Sequence, residues 1–232
     1  MASRVGRRII GVLSETSSMS VDLEIDQPST PGQSEDSTRS GRGYIGRILA
    51  GPGVSLVLMA VVSLATWTGV QANNVDPFVL QAPLTEDWWQ LPLSVFSHSG
   101  MPHLTGNATM IALFGSIAVF SSSVIRYHTF FIISGMIAGA AQVLVTGAIG
   151  DPGSVLGASG AGMALMMYVL ISNDISSLLL NRVSRTAAAG LVVAAAVAIT
   201  LWSAAIQIAN VAHLAGALIG GVAGYFHLLR SH

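Results

Sequence analysis

Six apolar stretches, at about residues 52–70, 104–121, 128–147, 159–173, 186–205 and 209–229, contain not one Asp, Glu, Lys or Arg. A bilayer's hydrocarbon core is roughly 30 Å thick and takes about 20 helical residues to cross. Inside it a helix satisfies its own backbone hydrogen bonds. The chain therefore reads as an all-α polytopic membrane protein with six transmembrane helices. The fourth stretch is short, and its start depends on where a Gly-rich entry becomes helical. Composition agrees. Of 232 residues, 9% are charged and 52% hydrophobic, whereas a soluble domain averages about 25% charged. There are no cysteines, which removes disulfides and thiolate metal sites. A net charge of −1 carries no sign of nucleic acid, and no such partner is expected.

Residues 1–48 differ from the remainder. They are rich in Ser, Thr, Pro, Gly and acid and poor in large apolar side chains. Such a segment cannot offset its ordering entropy by burial, so it is expected to be a disordered tail ahead of a membrane domain over 49–232. Arg4, Arg7 and Arg8 precede only five apolar residues, "IIGVL", too few for a signal-peptide core of about 7–15. All ten cationic side chains are Arg. With six crossings, Arg4, Arg7, Arg8, Arg39, Arg42, Arg47, Arg126, Arg182, Arg185 and Arg230 fall on one side, and the opposite loops hold none. By the positive-inside rule both termini are cytoplasmic, in a multi-pass protein of the cell membrane.

That topology sends the second, fourth and sixth stretches from outside to inside. Their first turns meet near the outer face, with "HSGMPHLTGN" (98–107), "GASG" (157–160) and "NVAH" (210–213). His103 and Asn107 are four residues apart and share a helix face. Pro102 suits a first helical turn. Ser159 opens the fourth stretch, and His213 lies about one turn into the sixth. Polar groups at such depth are costly and functional by default. A serine hydroxyl needs a base to take its proton, and neutral His is the usual one. Acyl transfer also needs donors at the developing oxyanion, which Asn107, His103 and the Ser159 backbone N–H can supply. No carboxylate lies in the six stretches to orient His213, so the chemistry is that of a Ser–His dyad without a third member. A metal channel using His98, His103 and His213 is a competing reading, but cation pathways carry buried acids and this chain has none. HExxH is absent. No cofactor and no metal are expected.

From residue 50 to 230 the sequence resembles the rhomboid family of intramembrane serine proteases. The likeness rests on the spacing of His98, His103 and Asn107, on "GASG" around Ser159 and on "AHLAGALIGG" from residue 212. The resemblance implies a six-helix rhomboid-like bundle. It makes Ser159 the nucleophile, His213 the general base, and His103 and Asn107 the oxyanion-stabilising pair, with Gly157 at the motif's first glycine. "DWWQLPLSVFSH" (87–98) resembles the family's first outer loop. It implies substrates that are single-span membrane proteins, cut near the outer face. Gln90 stands where many members have Arg, and Met163 where many have an aromatic residue against the base histidine. These departures keep open the alternative of a catalytically silent relative that binds membrane proteins. His98 is equally consistent with a supporting catalytic role and a structural hydrogen bond. His213, Gly216 and Gly220 share one face, as do Ser159 and Gly162, so small residues would let the fourth and sixth helices approach closely. On that reading Gly220→Val is severe and Gly221→Val, about 100° away, is mild. Trp67, Trp88 and Trp89 read as interface anchors.

Overall fold

A computed structural model describes residues 43–150, 153–174, 182–204 and 210–231. The tail expected over 1–48 lies outside the described residues up to 42, and residues 43–48 are already helical. Helix α1 (Gly43–Gln71) is followed by a 3-10 turn at Asp76–Phe78 and a short helix α2 (Gln90–Phe96). Then come α3 (Met101–Ser121), α4 (Val124–Ala148), α5 (Ser159–Ser172), α6 (Arg185–Ala204) and α7 (Asn210–Tyr225). The described residues contain no strand, only one antiparallel bridge between Leu80 and Val155. Among the described residues, three helices are long and apolar enough to cross a membrane: α1 with 29 residues, α3 with 21 and α4 with 25. Helix α5 and the Thr186–Ala198 part of α6 are shorter and apolar.

Several large apolar side chains of α1 and α4 face outward, while the packed face of α7 is built from small residues, as close helix packing in lipid favours. Val57, Val61 and Leu64 on α1 and Ile133, Ile137 and Leu144 on α4 are exposed. Every buried residue of α7 apart from His213 is Ala or Gly. Helices α5 and α7 form the most extensive contact in the bundle, and α4 packs on both. A Cβ added at Gly216 would collide with the Gly160 carbonyl oxygen, and one at Gly220 with that of Ala164. Backbone lies on backbone along this seam, and only glycine fits.

Helices α1 and α3 are each interrupted by a π turn, at Leu49–Gly53 and Ile111–Gly115. Pro52 lies inside the first, where its missing N–H disrupts the regular ladder. Between them sits Tyr127, fully buried and stacked on Phe131 with ring centroids 6.1 Å apart. Helix α7 ends at Tyr225, short of the expected 229. His227 adopts φ 53°, with Leu228 N–H bonded to Ala223 O at 3.0 Å and His227 N–H to Gly224 O at 3.1 Å. This paired cap turns the chain out of the helix. The outgoing segment then ties the bundle's end together. Arg230 donates to Ser172 O at 3.0 Å and pairs with Asp174 at 3.1 Å, Arg126 donates to the Arg230 carbonyl, and Ser231 N–H reaches Ser121 O at 2.9 Å.

Candidate active site

Ser159 is the first residue of α5, after Ala158 as cap. The first intrahelical bond runs from Gly162 N–H to Ala158 O at 2.8 Å. The Ser159 amide belongs to the turn whose N–H groups have no intrahelical acceptor. The approach to Ser159 is fixed from the connection between α1 and α3 at three points. Leu80 and Val155 exchange both backbone bonds at 2.9 Å, Gly157 N–H donates to Ser94 O at 2.8 Å, and Ala158 N–H points at His98 Nε2 at 3.4 Å.

Gly157 has two reasons to be glycine. Its φ of +121° is a conformation that side chains resist. A Cβ there would also lie 2.7 Å from His103 Cε1 and Nε2 and 3.5 Å from Asn107 Nδ2. Gly157 thus clears a space onto which His103 Nε2 and Asn107 Nδ2 both face. Asn107 is 4% exposed, and its Nδ2 is buried without a hydrogen-bond partner. Such orphans are rare, because a buried unpaired donor costs about 1–3 kcal/mol. Ser99 Oγ lies 3.2 Å from His103 Nδ1. With the hydroxyl donating there, Nε2 carries the ring proton.

His213 is buried in the first turn of α7. The carbonyl of its neighbour Ala212 lies 3.5 Å from where a Gly160 Cβ would be, so the Ser159 and His213 turns are in contact. His103 is within electrostatic reach of the His213 ring. A narrow crevice lined by Ser94, Gly135, Gly139, Gly157, Ser159 and Ala212 opens beside the serine. The expected residues Ser159, His213, His103, Asn107 and Gly157 therefore come together at one end of the bundle. Gly216 lies one turn further along the seam.

His98 is fully buried and serves the loop. Ala158 N–H donates to its Nε2, so its proton sits on Nδ1, which lies 3.1 Å from Phe96 O and 3.0 Å from Ser63 Oγ. Burial first, and then the neighbouring His103, push its imidazole down from 6.5 to about 4, so it is neutral at physiological pH. The two rings meet edge to face at 5.0 Å. Trp67, expected as an interface anchor, donates its indole N–H to His98 O at 2.8 Å. Trp88 and Trp89 are exposed.

The two departures have clear local roles. Gln90 is buried and clamps its loop, donating to Asp76 O at 3.0 Å and accepting from Gln81 N–H at 3.3 Å. Met163 packs with Met167, Ala196 and Ala217 between α5, α6 and α7. Sequence reasoning missed Gln142 on α4, whose Oε1 accepts from the Val211 and Ala212 N–H groups, each at 3.1 Å. Its signal was a lone carboxamide within an apolar stretch. Among the described residues no three His, Cys, Asp or Glu side chains converge as a metal site would need.

The sequence is similar to that of known proteins. Over 175 residues the chain is 25% identical to "Rhomboid protease AarA" of Providencia stuartii, covering 66% of this chain and 61% of that protein. The chain thus spans about three fifths of that relative's length. Residues 85–230 match the Rhomboid domain, which is more than half of the chain and holds every residue of the site, and the chain belongs to the rhomboid family.

Proposed function

We propose that this protein is an intramembrane serine endopeptidase that cuts single-span membrane proteins near the outer face through a Ser159–His213 dyad. The observation that carries the reading is the orphaned amide of Asn107. A buried donor with no partner, facing a cleared space beside a serine at a helix N-terminus, is what a site awaiting an oxyanion requires. The family supplies the reaction class, and the contact between the Ser159 and His213 turns supports the pairing.

In the reaction, Ser159 Oγ attacks the scissile carbonyl carbon as its proton passes to His213. The carbonyl oxygen becomes an oxyanion, held by Asn107 Nδ2–H, the Ser159 N–H and His103 Nε2–H. The C–N bond then breaks as His213 gives the proton to the departing amine, leaving an acyl-serine. Water attacks this ester with His213 as base, releasing the acid and restoring the hydroxyl. His98, Ser94 and Leu80 hold the Ser159 loop and take no part in bond breaking. Both termini are cytoplasmic, which supports entry of the substrate bond from the opposite side.

Labelling with a serine-directed fluorophosphonate tests this. Wild type should label and cleave a single-span substrate, and Ser159→Ala should do neither. A wild type that binds such substrates but neither labels nor cleaves would be the silent relative instead.

A further inference from the structure

The seam between α5 and α7 is smooth. Glycine against carbonyl sets how closely the two helices approach, but it does little to stop one sliding or rotating along the other. Something else must fix where along the seam His213 stops.

Gln142 fits that requirement. It is 8% exposed on α4, and its single Oε1 takes two hydrogen bonds from the first turn of α7, from Val211 N–H and Ala212 N–H at 3.1 Å each. These are orphan donors of a helix N-terminus, and in a membrane domain water is a poor substitute partner. The next residue along the chain is His213. The same face of α4 also holds Ala138, whose Cβ would lie 2.6 Å from a Cβ on Gly160. Positions 138 and 142 are one turn apart. Helix α4 therefore buttresses the Ser159 turn with a methyl group and caps the His213 turn with an amide oxygen.

We propose that Gln142 is a positioning residue for His213: by capping α7 from α4 it sets the axial register that brings the imidazole level with Ser159. The catalytic part of this inference rests on the protease reading above, and the cap itself does not.

The test compares Gln142→Met, which keeps length but cannot accept, with Gln142→Glu, which keeps an acceptor oxygen. Three quantities are read on the full chain in detergent: amide hydrogen exchange over residues 210–214, the rate of fluorophosphonate labelling at Ser159, and kcat and KM on a single-span substrate. In Gln142→Met, exchange at 211 and 212 should rise at least about tenfold with loss of the cap. The labelling rate and kcat should fall about 10- to 100-fold, with KM within about twofold. Gln142→Glu should restore all three to within about threefold of wild type.

Unchanged exchange in Gln142→Met overturns the cap. Faster exchange with unchanged kcat per labelled molecule makes the cap purely structural and overturns positioning, as does failure of Gln142→Glu to rescue. A wild type that neither labels nor cleaves removes the protease reading and positioning together, while the exchange arm still decides the cap. Should Gln142→Met yield no folded protein, Gln142→Asn carries the same comparison, because it withdraws the oxygen by one methylene and should give intermediate losses.

Discussion

Two regions bring the site residues together, and they do so by opposite means. The α5–α7 seam uses backbone against backbone, with Gly216 and Gly220 seated on the carbonyls of Gly160 and Ala164. The connection from α1 to α3 uses hydrogen bonds instead. Trp67, Ser63 and His98 form a polar lattice that ends on the Ser159 loop, and Gln90 clamps the same connection at Asp76 and Gln81. At Gly216 and Gly220 the seam meets backbone with no side chain between that could rearrange, so it fixes distance. The lattice consists of bonds that can be broken one at a time, so it fixes orientation and can loosen by degrees. Damage to the seam should therefore couple activity to stability, and damage near the loop should separate them.

The largest expected effect lies at the end of the seam. Ser159→Ala and His213→Ala should each bring cleavage to background while the protein still purifies folded. If the two act as a unit, the double variant should be hardly worse than either single one. Residual turnover above a few per cent in Ser159→Ala, read on a single-span substrate, would displace the serine from its role.

Asn107→Ala comes next, on the other wall. It should lower kcat by about 10²–10³-fold if its amide is a principal oxyanion donor, with His103→Ala similar or smaller. Because Asn107 Nδ2 has no partner, its loss breaks no native hydrogen bond through that atom, and stability should change by no more than about 1 kcal/mol. A large drop in thermal midpoint together with kcat would mean that Asn107 is structural and does not serve as an oxyanion donor.

The seam gives the third test. A Val at Gly220 would drive its Cβ into the Ala164 carbonyl, which is backbone and cannot swing aside. A displacement of about 1 Å at the dyad can cost on the order of 10²-fold in rate, and overpacking costs about 1–3 kcal/mol. The sequence expectation that Gly221→Val is the milder change needs a refinement for stability. A Cβ there would collide with Val192 Cγ1 on α6 and lie 3.6 Å from Met167 Cε. The reason is geometric, since turning about 100° from one neighbour on a bundled helix leads to another neighbour and not to lipid. Val192 is a side chain that can yield, away from the dyad. Gly221→Val should thus lose stability but less than about tenfold in kcat, and equal kcat losses at 220 and 221 would separate the seam from dyad geometry.

The same asymmetry governs what was legible beforehand. Small residues spaced by four on an apolar helix mark a close contact, so Gly216 and Gly220 could be read with His213 on one face. The membrane helices were legible from length and absence of charge, though α1 starts at Gly43. The lattice was not legible. Trp67 read as an anchor because sequence gives no distance between an indole and a carbonyl 31 positions later. Gln142 was passed over because a trans cap joins residues 69 and 70 positions apart. Local patterns show which faces bury. They do not show which single oxygen meets which amide.

The smallest expected effect is graded and comes from acid. His98 titrates at about 4 in the folded protein, below its ordinary 6.5. Above pH 6.5 it is neutral folded or unfolded, and pH has no purchase on it. As pH falls from 6.5 toward 4 the unfolded chain takes up a proton that the folded chain refuses, so stability falls. The loss amounts to a few kcal/mol at most, on the order of 1.4 kcal/mol for each tenfold change in proton affinity. His103, whose ring meets that of His98, is the neighbour whose own charge would add to the strain. Protonation would also cost His98 Nε2 its role as acceptor for Ala158 N–H, releasing one of three ties on the Ser159 loop. The Gly160, Ala164, Gly216 and Gly220 contacts hold no ionisable group, so the seam should stay shut while the loop opens. Hydrogen exchange between pH 7 and 4.5, corrected for intrinsic rates, should show amides 155–158 losing protection before those of α5 and α7. His98→Gln should flatten the pH dependence of the thermal midpoint. If the slope is the same in wild type and His98→Gln, the acid response belongs to other groups, and the lattice is no easier to loosen than the seam.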